Sequence, residues 1–286
     1  MYESRSCFSV ALRLVSDCSP PRPLLPSQLV KEREVELTDR ASLYSITNSV
    51  HKSSCIENYY QTGLQETRLN MLLELFSQII NESCYNQLRT KEQLGYIVFS
   101  GVRRSNGAQG VRVIVQSERH PDYLDSRIES FLAGLEASLQ EMEETEFHTQ
   151  VEALATKRLE KPKKLSVRNG RYWSEILSQH YHFDRDSVEV AMLRSLTRED
   201  VVQFYRSHVA DSPDRKKLSC HVVSTLEGGA GHPDTVTSED SDATAPEVTL
   251  EPRLIEDITE FKCSLPLLAL ARPFVHPDTL VRPEQP

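Results

Sequence analysis

Apolar residues along the 286-residue chain recur with two periods, one typical of strands and one typical of helices. Alternation of polar and apolar positions, or a run of Tyr and Val, predicts six strands: 34–37, 42–46, 56–61, 96–102, 110–117 and 217–224. The first three follow one another closely, so we expect them to pair as an antiparallel meander. Asn106-Gly107 separates the fourth strand from the fifth, and this dipeptide is typical of a tight hairpin.

Helical spacing dominates the region between the early strands and the last one. The clearest helix has apolar residues at i, i+3, i+4 and i+7: Leu69, Leu72, Leu73, Phe76, Ile79 and Ile80. A short helix is predicted over 84–91, and longer apolar series follow over 123–139, 147–159 and 173–181. Thr197 to Asp200 resembles a capping box before a last helix. The order predicts an α+β fold with helices stacked on one face of an antiparallel sheet.

Prolines and acidic residues divide the chain. The proline-rich stretch 19–26 favours an extended linker, so residues 1–22 are predicted to be a disordered extension of a domain over 23–286. Segment 226–251 holds seven of the carboxylates and no Lys or Arg, which predicts a mobile acidic loop. The proline-rich tail over 252–286 is expected to wrap the surface.

Charge and cysteine usage narrow the function classes. The net charge of −9 falls to about −2 without the acidic segment, so the folded part is nearly balanced and does not suggest nucleic-acid binding. No apolar run approaches the roughly 18 residues that a membrane span needs. Six cysteines without a C-x-x-C pair indicate reduced thiols. The apolar run 7–15 is interrupted by Arg13, which is unlike a signal peptide, and we expect a cytoplasmic protein.

Arg89 and Tyr96 lie on either side of a predicted break at Gly95. A guanidinium and a phenol are both hydrogen-bond donors suited to a peptide carbonyl oxygen. The alternative is structural: Arg89 pairs with a surface carboxylate, and Tyr96 is half-buried on a strand.

A dense basic cluster lies where one helix ends and another begins. It comprises Arg158, Lys161, Lys163 and Lys164, followed by Leu165 and by Ser166, which is placed to cap the next helix. Cations beside a helix start suit ATP or another polyanion. A solvated loop that aids solubility is the equally weighted alternative.

Two further groups contain residue types that bind metals or act as nucleophiles, but their spacing does not match a metal site or a catalytic site. His180 and His182, with Asp184 nearby, point apart on a helix and lack an obvious third ligand, so we expect a structural or surface role and no metal site. Cys84 at a helix boundary is expected to be a packed or half-exposed thiol. A cysteine hydrolase built on Cys84 would need an imidazole beside it, and no motif supports one.

A resemblance to a known family runs from about residue 23 to residue 275. It is carried by the run LRTKEQLGYIVFSG over 88–101 and by five shorter matches: PSQLV over 26–30, YYQT over 59–62, KPKKLS over 161–166, FDRD over 183–186 and TEFK over 259–262. These segments resemble the C-terminal half of the pitrilysin-type zinc metalloproteases, the family of insulin-degrading enzymes. The metal-binding motif of that family, H-x-x-E-H, is absent from the 286 residues.

The resemblance implies a fourth, non-catalytic domain of a clamshell-shaped protease that degrades peptides, with a fold shared with mitochondrial processing peptidase. Arg89 and Tyr96 match the family's substrate-holding pair, and 161–166 matches the segment assigned to ATP and polyanion binding. Zinc would lie in the N-terminal half, which is the implied partner together with peptide substrates; a homo-oligomer is a further expectation. We expect this chain to be inactive alone. The competing hypothesis is a stand-alone peptide- or partner-binding module.

Overall fold

The computed structural model describes residues 32–232, 251–270 and 274. Its six strands form one sheet in the order β3-β4-β2-β5-β1-β6. The strands are β1 (Ala41–Asn48), β2 (Ser54–Leu64), β3 (Ile97–Ser105), β4 (Ala108–Ser117), β5 (Lys217–Ser224) and β6 (Arg253–Ile255). The predicted hairpin between β3 and β4 is confirmed, and Asn106 and Gly107 both have the positive φ angles that its tight turn requires.

The meander prediction is wrong. β5 lies between β1 and β2, and β1 pairs in parallel with both β5 and β6, whereas the pairs β2–β4, β2–β5 and β3–β4 are antiparallel. Segment 34–37 contributes only an isolated bridge between Val35 and Leu267. Alternation reports which side of a strand is buried and carries no information about the partner strand.

The predicted α+β class is confirmed, with most helices packed on one face of the sheet and the short C-terminal helix on the other. The helices are α1 (Thr67–Cys84), α2 (Pro121–Ala133), α3 (Leu135–Glu141), α4 (Glu144–Leu159), α5 (Leu165–Leu177), α6 (Arg185–Leu193), α7 (Arg198–His208) and α8 (Ile258–Ser264). The predicted helix over 123–139 is two helices that meet at Gly134. The capping box at Thr197 is present and starts α7.

Two apolar clusters lie on opposite faces of the sheet. The main core joins Ile56, Tyr60 and the valines of β4 to the helices that precede β5. On the other face a smaller cluster joins Leu37 and Tyr59 to the C-terminal elements through Phe261. The short helix α8 therefore covers part of the second face, and the surface beside β3 remains open.

The predicted extension over 1–22 lies outside the described residues, as do most of the acidic segment and the end of the tail. The boundaries proposed for these segments remain predictions. In the part of the chain that is described, no helix combines the length and apolar character of a membrane span.

Candidate functional site

The segment that carries Arg89 is a π-helix over Tyr85–Lys91 that continues α1 without a break. The sequence predicted a short α-helix here. The wider turn is visible where the backbone N–H of Glu92 donates to the carbonyl of Gln87 at 3.0 Å, five residues earlier. Gln93 then adopts a positive φ of 51°, which ends the helical segment. Such π-helical turns are rare and concentrate at functional sites.

Gly95 lies against the end of β4 with no room for a side chain. A Cβ atom there would overlap the carbonyl oxygen of Gln116 and lie 2.8 Å from its carbonyl carbon. The hydroxyl of Ser117 also donates to the carbonyl of Leu94. Together these contacts fix the backbone before Tyr96, whose side chain is 86% exposed.

The structure brings the two predicted residues together. The guanidinium carbon of Arg89 lies 5.7 Å from the centroid of the Tyr96 ring, a cation–π contact. The Nε atom of Arg89 is buried and has no hydrogen-bond partner among the described residues. The structural alternative therefore fits poorly, because Arg89 forms no ion pair within the described residues and Tyr96 is exposed.

A second anchor, which the sequence analysis missed, holds the turn after Arg89. Glu92 accepts two hydrogen bonds from Arg127 on α2, at 2.7 and 2.9 Å, and a third from Gln87 at 2.7 Å. The hydrogen bond from Arg127 lowers the pKa of Glu92 against the opposing effect of burial. Arg127 lies 35 residues away, and no local pattern indicates such a pair.

An open surface continues from Tyr96 along β3. Val98 and Val102 pack against the main core, so the alternating residues Ile97 and Phe99 lie on the other face, where both are exposed. The guanidinium carbon of Arg112 lies 5.2 Å from the centroid of the Phe99 ring. We call Ile97, Phe99 and Arg112 the open face; it is an apolar and cationic surface adjoining the Arg89–Tyr96 pair.

Only part of the predicted basic cluster is free to bind an anion. Arg158 is held between Glu74 and Glu189, with hydrogen-bond or ion-pair distances of 2.9 Å to each, so its charge is already compensated. Lys163 pairs with Glu160 at 2.8 Å. The lysines that remain, 161 and 164, are exposed and form no ion pair within the described residues.

The helix start beside these lysines differs from the prediction. Ser166 does not cap α5, because the helix begins at Leu165 with Lys164 in the cap position, and no side chain accepts the free N–H groups. A cavity of about 470 Å³ lies next to this helix and is lined in part by Lys157, Arg168 and Arg171. The cavity is also lined by Glu74, Glu175 and Asp186, so the groups suited to an anion are the free N–H groups at the start of α5 and Lys164 beside them.

The other two candidates have structural roles. The rings of His180 and His182 are buried around Phe274, with centroids 5.3 and 5.1 Å from it. Burial, and then the nearby charge of Arg185, lower the pKa of His180. No group of three His, Cys, Asp or Glu residues within the described ranges is placed to hold a metal ion. Cys84 is fully buried, and burial raises the pKa of its thiol to about 11, which confirms a packed cysteine.

Helix α5 has its apolar face on the outside. The sequence predicted a helix with an apolar series over 173–181; the helix lies over Leu165–Leu177, and Trp173, Ile176 and Leu177 are 54%, 41% and 67% exposed. The residue of α5 that is buried is Glu175, which accepts hydrogen bonds from Arg185. A helix with this orientation exposes a surface suited to a partner.

One family model matches part of the chain, and two solved structures share its fold. The model for "PQQ synthase PqqF-like, C-terminal lobe domain 4" matches residues 75–173. Pitrilysin superposes with a TM-score of 0.68 at 22% identity, over 86% of this chain and 25% of that chain. A peptidase M16 inactive domain from Pseudomonas fluorescens superposes with a TM-score of 0.54 at 15% identity, over 76% of this chain and 51% of that chain.

Two sequence relatives are both insulin-degrading enzymes. Insulin-degrading enzyme from Bos taurus is 50% identical over 258 residues, which are 89% of this chain and 25% of the relative. The enzyme of the same name from Drosophila melanogaster is 42% identical over 270 residues, or 93% of this chain and 26% of the relative. The chain is thus homologous to a C-terminal part of insulin-degrading enzyme, and it spans about a quarter of the length of these relatives.

Proposed function

We propose that the chain is a non-catalytic, substrate-holding domain of a peptide-degrading zinc metalloprotease. The observation that carries this proposal is the cation–π contact between Arg89, on the π-helical turn, and the exposed Tyr96, next to the open face. The catalytic zinc would belong to a separate N-terminal half, which is the expected partner.

The chemistry of the pair suits this role. Peptide hydrolysis builds negative charge on the carbonyl oxygen, and a guanidinium and a phenol placed beside each other donate hydrogen bonds to it. The planar guanidinium of Arg89 also fixes a peptide backbone through two donors, a geometry that Lys does not reproduce. The anchors at Glu92 and Gly95 hold both donors in place before a substrate arrives.

The exposed apolar face of α5 is an argument for a partner domain. Its exposed apolar residues would otherwise remain in water at an unfavourable free energy. We infer that this face packs against another part of the enzyme.

ATP or another polyanion is the proposed effector, bound at the start of α5 by Lys161, Lys164 and the free backbone N–H groups. Arg158 and Lys163 contribute less, since each is already paired with a carboxylate. A titration with tripolyphosphate tests this: Lys164→Gln should weaken binding and reduce its salt dependence, and an unchanged affinity would remove the effector from the proposal.

A stand-alone binding module is the second candidate, and the accessibility of Tyr96 favours it. Such a module would bind peptides without a partner, and Arg89→Ala would abolish that affinity. Strong peptide binding by this chain alone, with no association with an N-terminal half, would select this function. A cytoplasmic location is proposed for either candidate, in keeping with the free thiols of Cys55, Cys84, Cys220 and Cys263.

The proposed function is tested by measuring association of the chain with an N-terminal half. The chain is mixed with a separately produced N-terminal fragment of bovine insulin-degrading enzyme, and complex formation is measured by light scattering. Trp173→Asp should prevent association, whereas Val50→Asp, which changes an even more exposed apolar residue elsewhere, should not. Failure of the folded wild-type chain to associate, or equal effects of both variants, would refute the proposed docking face.

A further inference from the structure

A mainly apolar cavity of about 260 Å³ lies on the second face of the sheet, away from the main core. Its floor includes Tyr59, Leu218 and Cys220, and its roof includes Ile258 and Phe261 of α8. The roof is an ordered element, since the side chain of Asp257 caps α8 by accepting from the backbone of Glu260 at 2.7 Å. A dry cavity of about 150 Å³ already accommodates a benzene ring, so this cavity has room for one large apolar side chain.

Two cations and one carboxylate are among the residues that line this cavity. The guanidinium of Arg103 stacks over the Tyr59 ring at 5.0 Å and is exposed. Lys262 also lines the cavity, and neither cation forms an ion pair within the described residues. Glu34 is the one carboxylate among the lining residues, and it already accepts hydrogen bonds from Ser105 and Asn106 at 2.7 and 2.9 Å.

The cavity lies at the end of β3 away from the Arg89–Tyr96 pair, beside Arg103 and Ser105. Arg103 is on the same side of β3 as Ile97 and Phe99, because residues two apart along a strand share a face. Six residues of strand separate Ile97 from Arg103, a distance of about 20 Å. The open face lies along this length, so an extended peptide of about seven residues would reach from Ile97, which follows Tyr96 in the chain, to the cavity.

We propose that this cavity binds the C-terminal residue of a peptide, with its apolar side chain inside and its α-carboxylate on Arg103. The proposal rests on the proposed substrate-holding function and adds a second point of attachment. A terminal carboxylate distinguishes this ligand from an internal peptide segment, which would leave the guanidinium without an anionic partner.

Calorimetry with the full chain tests the pocket alone. The ligands are acetyl-Gly-Gly-Leu and its C-terminal amide, which are too short to reach Arg89. We expect the acid to bind about tenfold more tightly than the amide, because a charge-assisted hydrogen bond is lost in the amide. Arg103→Gln should remove this preference. Arg112→Gln is the matched control, since Arg112 stacks on an aromatic ring of the same face without lining the cavity, and it should retain the preference.

A second variant tests the cavity itself. Cys220→Leu adds apolar atoms to the floor, and we expect it to abolish binding of both ligands while the urea midpoint stays near that of the wild type. Equal affinity for acid and amide, or a preference that survives Arg103→Gln, overturns the proposal. Displacement of the peptide by decanoic acid at much lower concentration would assign the site to free carboxylic acids and also overturn it.

Arg89→Gln separates this inference from the proposed function. It should leave tripeptide binding unchanged and weaken binding of a ten-residue peptide with the same C-terminus. If the longer peptide is unaffected while the tripeptide results hold, the cavity assignment stands and the role of Arg89 fails. If Arg103→Gln has no effect on either peptide while Arg89→Gln weakens the longer one, the cavity assignment fails alone.

Discussion

Gly95→Ala is the substitution to which the candidate site should be most sensitive. The added methyl group would lie 2.8 Å from the carbonyl carbon of Gln116 and 3.2 Å from the Cα of Ser117, besides overlapping the Gln116 oxygen. All three atoms are backbone, so no side-chain rotation relieves the contact. The start of β3 must then move away from β4, where Ile97 pairs with Gln116.

The cost follows from these contacts. Overpacking costs about 1–3 kcal/mol, a disrupted ladder hydrogen bond adds about 1 kcal/mol, and reduced freedom of the unfolded chain offsets about 0.5–1 kcal/mol. We expect a net loss of about 2 kcal/mol, or about 4–8 °C in Tm. Peptide affinity should also fall, because Tyr96 is displaced from Arg89.

Urea unfolding followed by far-UV circular dichroism measures this loss. Gly170→Ala is the control, since a Cβ atom at Gly170 of α5 meets nothing within 4 Å and alanine favours a helix by about 1 kcal/mol. It should stabilise the protein. A Gly95→Ala variant within about 0.5 kcal/mol of the wild type would refute the close backbone packing on which the site depends.

Three further predictions concern the rest of the domain. Burial alone would raise the pKa values of Glu74 and Glu129, but the hydrogen bonds and charges of their basic partners outweigh burial and lower both. Since the folded pKa values lie below the ordinary glutamate value of about 4.5, the free energy of unfolding should fall as the pH drops below about 4.5, and Glu74→Gln should weaken that dependence in acid titrations. Cys84 should resist a thiol reagent in the native protein while the exposed Cys263 reacts at once; rapid modification of Cys84 would contradict its burial. Phe274→Ala should cost about 1–2 kcal/mol in urea unfolding, because its ring packs between two imidazoles and a guanidinium; no change would show that this contact is not stabilising.

Local patterns were sufficient where neighbours in sequence determine the structure. The apolar stripe of α1, the Asn106-Gly107 turn and the capping box at Thr197 each depend on residues within a few positions, and each is present in the structure. Arg89 and Tyr96 are likewise only seven residues apart. Their proximity follows from one local break at Gly95.

The features that the sequence did not predict depend on contacts between residues far apart in the chain. The parallel pairing of β1 with β5 joins segments about 175 residues apart, and alternation within either strand carries no information on it. Arg158 belongs to a cluster whose composition is typical of an anion site, yet its charge is paired with Glu74 and Glu189. The apolar stripe of α5 is typical of a covered surface, but no other element among the described residues covers it.

Reconstitution of peptide cleavage tests the central claim most directly. The chain is combined with a zinc-loaded N-terminal half of bovine insulin-degrading enzyme, and hydrolysis of a fluorogenic peptide is followed with and without a chelator. We predict zinc-dependent cleavage that neither half shows alone, lowered at least about tenfold by Arg89→Lys, which lacks the planar pair of donors, and by Tyr96→Phe, which lacks the hydroxyl donor. A stable complex whose cleavage rate is the same with both variants would contradict the assignment of this pair as substrate-holding residues.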